Sequence, residues 1–365
     1  MTIGYILDDS LDRSDGVQQA VISIGEHMRG LGHDVHYIVS ETKRTDLKNI
    51  HSVGKFFSLK FNGNSVRTPL PASKKSIEKL FNEVKFDVLH VQMPFSPLLA
   101  ARVLNRAPDN VRKVGTFHIL PYNWFATFGT KALGLVLRRT IKSLDVAYGV
   151  SEPARVFMEH AFKNKAGVLP NPVNYSFYHS FKRQPTKNDK KKIVFVGRFE
   201  ERKGVRELVE AYANLDDSLR QNTELAMISK GPLSDEIKAK SDKLGLNIEF
   251  PGFVSEKEKA QYLADADVAV FPSISGESFG IVLAEAMAAG SAVTIGGNNP
   301  GYASVLAPWP EVLFDPKDIS AFSATLTQML TDSKKAKSIG SNQHQAVKQY
   351  DVKVVAGRLL KEAYT

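Results

Sequence analysis

Hydrophobic positions along the chain follow two periods in alternation. Residues 3–7, 34–39, 86–91, 113–117 and 145–150 are short apolar runs of the kind used by buried parallel strands. Between them the spacing turns helical: Val17, Val21, Ile24, Met28 and Leu31 share one face, and the pattern stops near Gly30 and Gly32. A second helix is predicted from Ser73, with Ile77, Leu80, Phe81 and Val84 at i, i+3, i+4 and i+7. Residues 153–162 read as a helix and 167–172 as a strand closed by prolines. Residues 43–71 show neither period, apart from a turn at Asn62-Gly63-Asn64.

The rhythm lapses over residues 182–192, a basic and polar stretch around Pro185 that reads as a linker. It then restarts with strands at 193–196, 224–228, 247–250 and 267–272 and helices at 204–213, 234–244 and 255–264. The economical architecture is α/β: two successive parallel-sheet domains, 1–172 and 173–350, with a cleft between them.

The stretch around which the second domain is organised is Ser275-Gly276-Glu277-Ser278-Phe279-Gly280-Ile281 and the apolar run that follows it to Gly290. It is predicted as a loop and a helix over 278–289. Ligands of open α/β sheets sit beyond the carboxyl ends of strands, where the free amides of Ser278, Phe279 and Gly280 would meet phosphate or sugar oxygens. Glu277 and Glu285, eight residues apart, are expected on one helix face as acceptors for the hydroxyls of a polyol. The same residues also read as a capped helix with solvated carboxylates.

A second strand-to-helix loop, Gly197-Arg198-Phe199-Glu200-Glu201-Arg202-Lys203-Gly204, places Arg198 and Lys203 where a pyrophosphate would receive a guanidinium, an ammonium and amides together. Fixed cations there would stabilise a leaving diphosphate without a metal. Asp265-Ala266-Asp267 is not taken as a metal site, because it divides between a helix end and a strand start. A loop ending at Gly16 makes a third anion or sugar position.

The totals narrow the classes. A chain of 365 residues is too long for one core, and the lack of cysteine removes disulfides, thiolate metal sites and cysteine nucleophiles. No signal peptide is read at the start, and residues 119–137 are interrupted by Pro121, Asn123 and Lys131, so no membrane span is expected. A cytoplasmic location is expected. The net charge is +9, and residues 1–172 carry 23 Lys+Arg against 15 Asp+Glu, nearly the whole excess. That half is expected to meet an anionic partner. Lys74, Lys75 and Lys79 lie on one side of an amphipathic helix, and Trp124 and Phe125 precede Arg138-Arg139 and Lys142. Both groups are candidate membrane contacts, and each also reads as ordinary packing with a solvated face.

At these residues a resemblance becomes specific. Gly197-Arg198-Phe199, Arg202-Lys203-Gly204 and residues 276–290 resemble the donor site of family 4 retaining glycosyltransferases with the GT-B fold, and within them the phosphatidylinositol mannosyltransferases. Gly16-Val17-Gln18, Phe86-Asp87-Val88-Leu89-His90, Thr116-Phe117-His118 and Val150-Ser151 match as well, so the similarity covers almost the whole chain. It implies two Rossmann-like domains facing a cleft, with a last helix, 351–365, crossing back to the first domain. It implies that Arg198 and Lys203 hold the donor diphosphate, Glu277 the sugar hydroxyls, Glu285 the ribose, and that Gly16, Ser278, Phe279, Gly280 and Ile281 line the donor.

Glu256 and Lys259 match positions that contact guanine, and a carboxylate accepting from its N1–H and amino group would favour GDP. Asp9, Gln18, Arg67 and His118 fall on the acceptor side. There Asp9 stands in place of the family's aromatic residue, and Val91-Gln92-Met93-Pro94-Phe95 in place of its His-x-Glu-Pro segment. The catalytic set is then Arg198, Lys203, Glu277 and His118, with front-face attack assisted by the leaving phosphate and no protein nucleophile.

The function expected is transfer of mannose from GDP-mannose to a phosphatidylinositol-like lipid by a monomeric enzyme at the inner face of the plasma membrane, with no cofactor or metal and no nucleic acid. Two alternatives stay open: a family 4 enzyme using a UDP-sugar or another lipid or soluble acceptor, and a basic nucleic-acid-binding module without catalysis, suggested by a pI near 9.4.

Overall fold

The computed structural model of the protein describes residues 1–12, 15–61, 64–93, 95–121, 124–184 and 190–365, without the side chains of residues 56–61, 64–69, 125 and 126. The expected turn at Asn62-Gly63 and the side chains of Arg67 and Phe125 therefore lie outside the described residues. Two compact units emerge, Met1–Pro172 together with Val352–Thr365, and Val173–Asp351.

The first unit contains β1 (Thr2–Ile6), β2 (Asp34–Val39), β3 (Ile50–Ser52), β4 (Phe56–Phe61), β5 (Asn64–Pro69), β6 (Val88–Met93), β7 (Arg112–Phe117), β8 (Val146–Gly149) and β9 (Gly167–Val168). Seven form one parallel sheet in the order β3-β2-β1-β6-β7-β8-β9, while β4 and β5 pair as an antiparallel hairpin. The stretch 43–71, unreadable by period, thus supplies a three-residue edge strand and the hairpin. The strand expected over 167–172 shortens to two residues, since Pro170 and Pro172 have no amide to donate.

The core of this unit joins Ile3 and Tyr5 of β1, Val21, Ile24 and Met28 of the helix Gly16–Gly30, and Val355 and Leu359 of the C-terminal helix Val352–Glu362. Each fully buried aliphatic side chain of this kind contributes about 1.5–3 kcal/mol, which fixes the last helix to the first sheet. Polar contacts add direction. Arg112 Nε donates to the Ala363 carbonyl at 3.1 Å, and the Tyr364 hydroxyl lies 2.6 Å from His90 Nδ1 inside the core. Burial pushes His90 down to about 3, so it is neutral.

The second unit contains β10 (Lys191–Val196), β11 (Thr223–Ile228), β12 (Ile248–Gly252), β13 (Val268–Phe271), β14 (Thr294–Gly297) and β15 (Leu313–Phe314). They form a parallel sheet in the order β12-β11-β10-β13-β14-β15, the doubly wound order in which direction reverses between β10 and β13. This switch point, beyond the carboxyl ends of β10 and β13, is where open sheets hold ligands.

Two expectations are corrected here. The chain enters the second unit at Val173, its helix Tyr175–His179 packs there, and Lys191 and Lys192 already belong to β10, so 182–192 is not the boundary. The helix expected over 278–289 begins only at Ile281, because its N-cap Gly280 has φ +96°, a left-handed conformation that costs other residues strain. Glu277 consequently stands in the loop, not on a helix face shared with Glu285. Among the described residues no helix is long and apolar enough to cross a membrane.

Candidate functional site

Beyond β10 and β13 the sequence builds a chain of alternating charge. Arg198 Nη2 pairs with Glu200 Oε1 at 3.0 Å, and Arg202 reaches Glu200 Oε2 at 3.3 Å and Glu277 Oε1 at 3.0 Å. Lys203 Nζ donates to the same Glu277 oxygen at 2.7 Å. Burial opposes charge on Glu277, yet the Lys203 ammonium and Arg202 guanidinium outweigh it and hold the carboxyl below its usual range. Three cations face two carboxylates, so the network keeps an excess positive charge with which to meet an anion.

Backbone contacts fix this network. Gly204 has φ +68°, and a Cβ there would lie 2.0 Å from the Pro272 carbonyl oxygen, so only glycine lets the two loops touch. Ile274 N donates to the Arg202 carbonyl at 2.8 Å, a second tie between them. Behind Glu277, a Cβ at Gly301 would lie 2.1 Å from the Glu277 carbonyl oxygen, so the helix Pro300–Leu306 supports the loop directly. Phe279 is buried and meets Tyr350 edge-on at 5.1 Å, which makes its side chain an anchor. The amides of Gly280 and Ile281 open the helix Ile281–Ala289 and stand outside its own hydrogen-bond ladder. Ser278 and Ile281 are partly exposed beside them.

A second cluster lies on the helices Glu256–Asp265 and Ile281–Ala289. Lys259 Nζ bridges Glu256 Oε2 at 2.9 Å and Glu285 Oε1 at 3.1 Å, and sits 5.6 Å from the centre of the Tyr178 ring. Burial works against the Lys259 charge, and Glu285 and Glu256 overcome it, raising its pKa. Tyr178 donates to Glu256 at 3.2 Å, and its hydroxyl is pushed up first by burial and then by the two carboxylates. The other Glu285 oxygen, Oε2, is buried without a hydrogen bond. A buried acceptor in that state can take a ligand hydroxyl, and Glu256 keeps a half-exposed carboxylate beside it.

Two residues of these clusters are not found from the sequence. Arg202 lies inside the quoted motif but has no role there; its signal is a third cation spaced to reach the loop after β13. Tyr178 lies in the helix Tyr175–His179 and carries no local motif. Arg198, by contrast, engages Glu200 and is half-exposed rather than packed beside Lys203.

Asp265 and Asp267 are committed elsewhere. Asp265 accepts from Gln184 N at 2.7 Å, and Asp267 pairs with Arg183 at 2.7 Å and accepts from Lys192 N at 2.9 Å. Among the described residues no group of His, Asp and Glu is arranged to hold a metal ion.

In the first unit the corresponding reversal lies between β1 and β6. Asp8, two residues past β1, accepts from the amides of Ser96, in the loop after β6, and of Ala100, which opens the helix Ala100–Leu104. Gly16 opens the helix Gly16–Gly30 after the Asp15 N-cap. Asp9 accepts from Ser10 N at 2.7 Å, and Gln18 is buried with its amide reaching the Ser10 carbonyl at 3.5 Å. His118 is 8 % exposed and holds Gln92 Oε1 at 2.6 Å; burial pushes it down to about 4, so it is a neutral hydrogen-bonding group. It lines a cavity of about 10 Å³ with His90, Gln92, Thr116 and Asn171, large enough for one water.

Lys74, Lys75 and Lys79 are exposed on the helix Lys74–Glu83, with Lys74 and Lys79 paired to Glu78 and Glu83 at 3.4 and 3.7 Å. Trp124 is 68 % exposed at the start of the helix Trp124–Val136.

Residues 14–177 match the model described as Glycosyltransferase Family 4, and residues 178–346 the model described as Glycosyl transferases group 1. A "Phosphatidyl-myo-inositol mannosyltransferase" of Mycolicibacterium smegmatis is 30% identical over 99% of this chain and 93% of its own length. One of the same name from Mycobacterium tuberculosis is 30% identical over 99% of this chain and 96% of its own. Among solved structures, a sucrose-phosphate synthase from Thermosynechococcus elongatus superposes with a TM-score of 0.76 at 18% identity, covering 99% of this chain and 98% of that one. The two parallel sheets, the charged loops beyond β10 and β13 and these likenesses agree: the chain belongs to glycosyltransferase family 4 and is a glycosyltransferase of the GT-B fold.

Proposed function

We propose that the protein transfers mannose from GDP-mannose to a phosphatidylinositol-like lipid at a membrane surface. The observation that carries the donor half is the Lys203–Glu277 pair beyond β10 and β13, with Arg202 on the same carboxylate. A diphosphate arriving there meets ready cations, and Glu277, once released from them, is an acceptor for sugar hydroxyls. Glu285 Oε2 supports a ribose hydroxyl, and Glu256 a guanine edge. The name that the relatives carry supports mannose and the lipid.

In this reading the bond from the anomeric carbon to the diphosphate breaks while a bond to the acceptor hydroxyl forms on the same face. The hydroxyl proton passes to the departing phosphate oxygen. Lys203 and Arg198 neutralise the charge that grows on the diphosphate, so no metal and no protein nucleophile is required. His118, neutral and fixed by Gln92, serves as a hydrogen-bonding group.

The test is thermal unfolding with GDP, UDP or ADP, followed by label transfer from GDP-mannose to phosphatidylinositol in mixed micelles. Stabilisation by GDP that disappears in Lys203→Ala, with label entering the lipid, is the expected result. Stabilisation by UDP alone overturns the mannose donor, and label that enters water but no lipid overturns the acceptor.

A further inference from the structure

The helix Trp124–Val136 is apolar around most of its circumference, a composition that suits a helix covered on both sides. One side is covered within its own unit. Thr130, Gly134 and Leu137 turn inward, and a Cβ at Gly134 would lie 2.4 Å from the Ala161 carbonyl oxygen, so the helix rests directly on Glu152–Phe162. The other side is open: Trp124, Phe128, Leu135 and Val136 are 68, 69, 76 and 70 % exposed. At about 100° per residue, Trp124, Phe128 and Leu135 fall within an arc of about 40°. They form one ridge.

The charge around the ridge has a single sign. Lys131 and, on the next helix, Arg138, Arg139 and Lys142 are all exposed. From Asn110 to Leu144 the sequence holds no Asp or Glu. The helix Lys74–Glu83 differs: Ile77 and Leu80 are buried, it has no exposed large apolar side chain, and Glu78 and Glu83 answer two of its three lysines.

The geometry points to the Trp124–Leu135 ridge as the surface that docks on an anionic phospholipid bilayer, with its rings and aliphatic chains at the headgroup boundary and the four cations on lipid phosphates. Apolar insertion and anion contact reinforce one another only where both occur on one face. This helix has both, and Lys74–Glu83 has charge alone. The inference deepens the lipid-acceptor reading, and rests on it for its purpose though not for its test.

Flotation with vesicles of phosphatidylcholine and phosphatidylglycerol, free of phosphatidylinositol, reads docking without transfer. The protein is expected to float with these vesicles and far less with phosphatidylcholine alone. Phe128→Gln/Leu135→Gln and, separately, Lys131→Glu/Arg139→Glu are each expected to lower the bound fraction by about tenfold, whereas Lys75→Glu/Lys79→Glu changes it by about twofold or less. In Trp309→Phe the remaining Trp124 emission should shift to the blue on vesicle addition. Retained stabilisation by nucleotide shows that the ridge variants are folded.

Undiminished flotation of both ridge variants, or loss confined to the Lys75/Lys79 variant, overturns the inference. So does a wild-type dimer that the ridge variants dissolve and that ignores vesicles, since a second copy would then cover the face. Docking without transfer to phosphatidylinositol overturns the acceptor reading alone, and transfer in micelles without docking overturns this one alone.

Discussion

Lys203 Nζ donates to Glu277 Oε1 at 2.7 Å across 74 residues of sequence, and Arg202 Nη1 approaches the same oxygen at 3.0 Å. One carboxylate oxygen therefore holds two cations in the position where a diphosphate is proposed to bind. Removing Lys203 leaves the nearly buried Glu277 with Arg202 as its one remaining cation in the network. Lys203→Ala is expected to lower kcat/KM by about 10²–10³-fold, the scale of losing one preorganised charge-stabilising donor. It should also cost about 1–3 kcal/mol of stability. Arg202→Ala, which leaves Lys203 in place, should lose less of both. Steady-state kinetics and denaturant unfolding of the two variants check the order, and equal losses would show that the cations do not rank as the geometry says.

Lys259 holds Glu256 and Glu285 together, so its removal should act on the base end of the donor. Lys259→Ala leaves two carboxylates facing each other without a cation and should raise the KM for the nucleotide sugar by about 10–100-fold, the range for lost hydrogen bonds to charged groups. Glu256→Gln keeps the shape but removes the pure acceptor, and is expected to narrow the preference for GDP over UDP with little effect on kcat. Competition by GDP and UDP against the donor measures this directly. An unchanged ratio would remove Glu256 from base recognition.

The same residues show how much of the site can be read from the sequence. The strand-loop-helix pattern around Glu277 and Gly204, and the two parallel sheets, follow from local period and glycine placement, so they are legible. The helix start is not, because Ser278 and Phe279 have acceptable helix propensity and Gly280 alone does not say which side of it the helix opens, while the fold puts Gly280 at φ +96° with its α-carbon so close to the Tyr302 ring that a Cβ would not fit. The partnership of Arg202 with Glu277 is tertiary: it depends on β10 and β13 being neighbours, which no local signal states. Tyr178 is hidden for the same reason. On the surface, the lysines of Lys74–Glu83 are legible as charge, but only the fold shows that their helix turns its apolar residues inward while Phe128 and Leu135 turn theirs out.

Gly301 offers a test of the loop independent of charge. A Cβ there would lie 2.1 Å from the Glu277 carbonyl oxygen and 3.0 Å from Phe279 N, with backbone atoms on both sides that cannot rotate away. Gly301→Ala must push the Glu277 loop off the helix Pro300–Leu306. A stability loss of about 1–3 kcal/mol is expected for the overpacking. A fall in kcat of about 10²-fold should follow from a displacement on the ångström scale. Kinetics of the folded variant at low temperature separate the two. Normal kcat would mean that Glu277 need not be held where it stands.

Asp8 makes the stability of the first unit depend on pH in a direction unusual for a carboxylate. Burial pushes it from 3.8 up to about 6, against the Ser96 and Ala100 amides, which pull it down. The folded state therefore binds this proton more tightly than the unfolded chain does. The contribution is full below pH 3.8 and is lost as pH rises through about 6. The loss is at most about 3 kcal/mol, because a tenfold change in proton affinity is worth about 1.4 kcal/mol. Asp8→Asn cannot titrate and retains one acceptor, while His90, His118 and all other groups are common to both proteins. Urea unfolding of the pair from about pH 4 to about pH 7 should show wild-type stability falling relative to the variant up to about pH 6 and then running parallel. A constant difference across that range would mean that the Ser96 and Ala100 amides hold Asp8 ionised throughout, with burial the lesser influence.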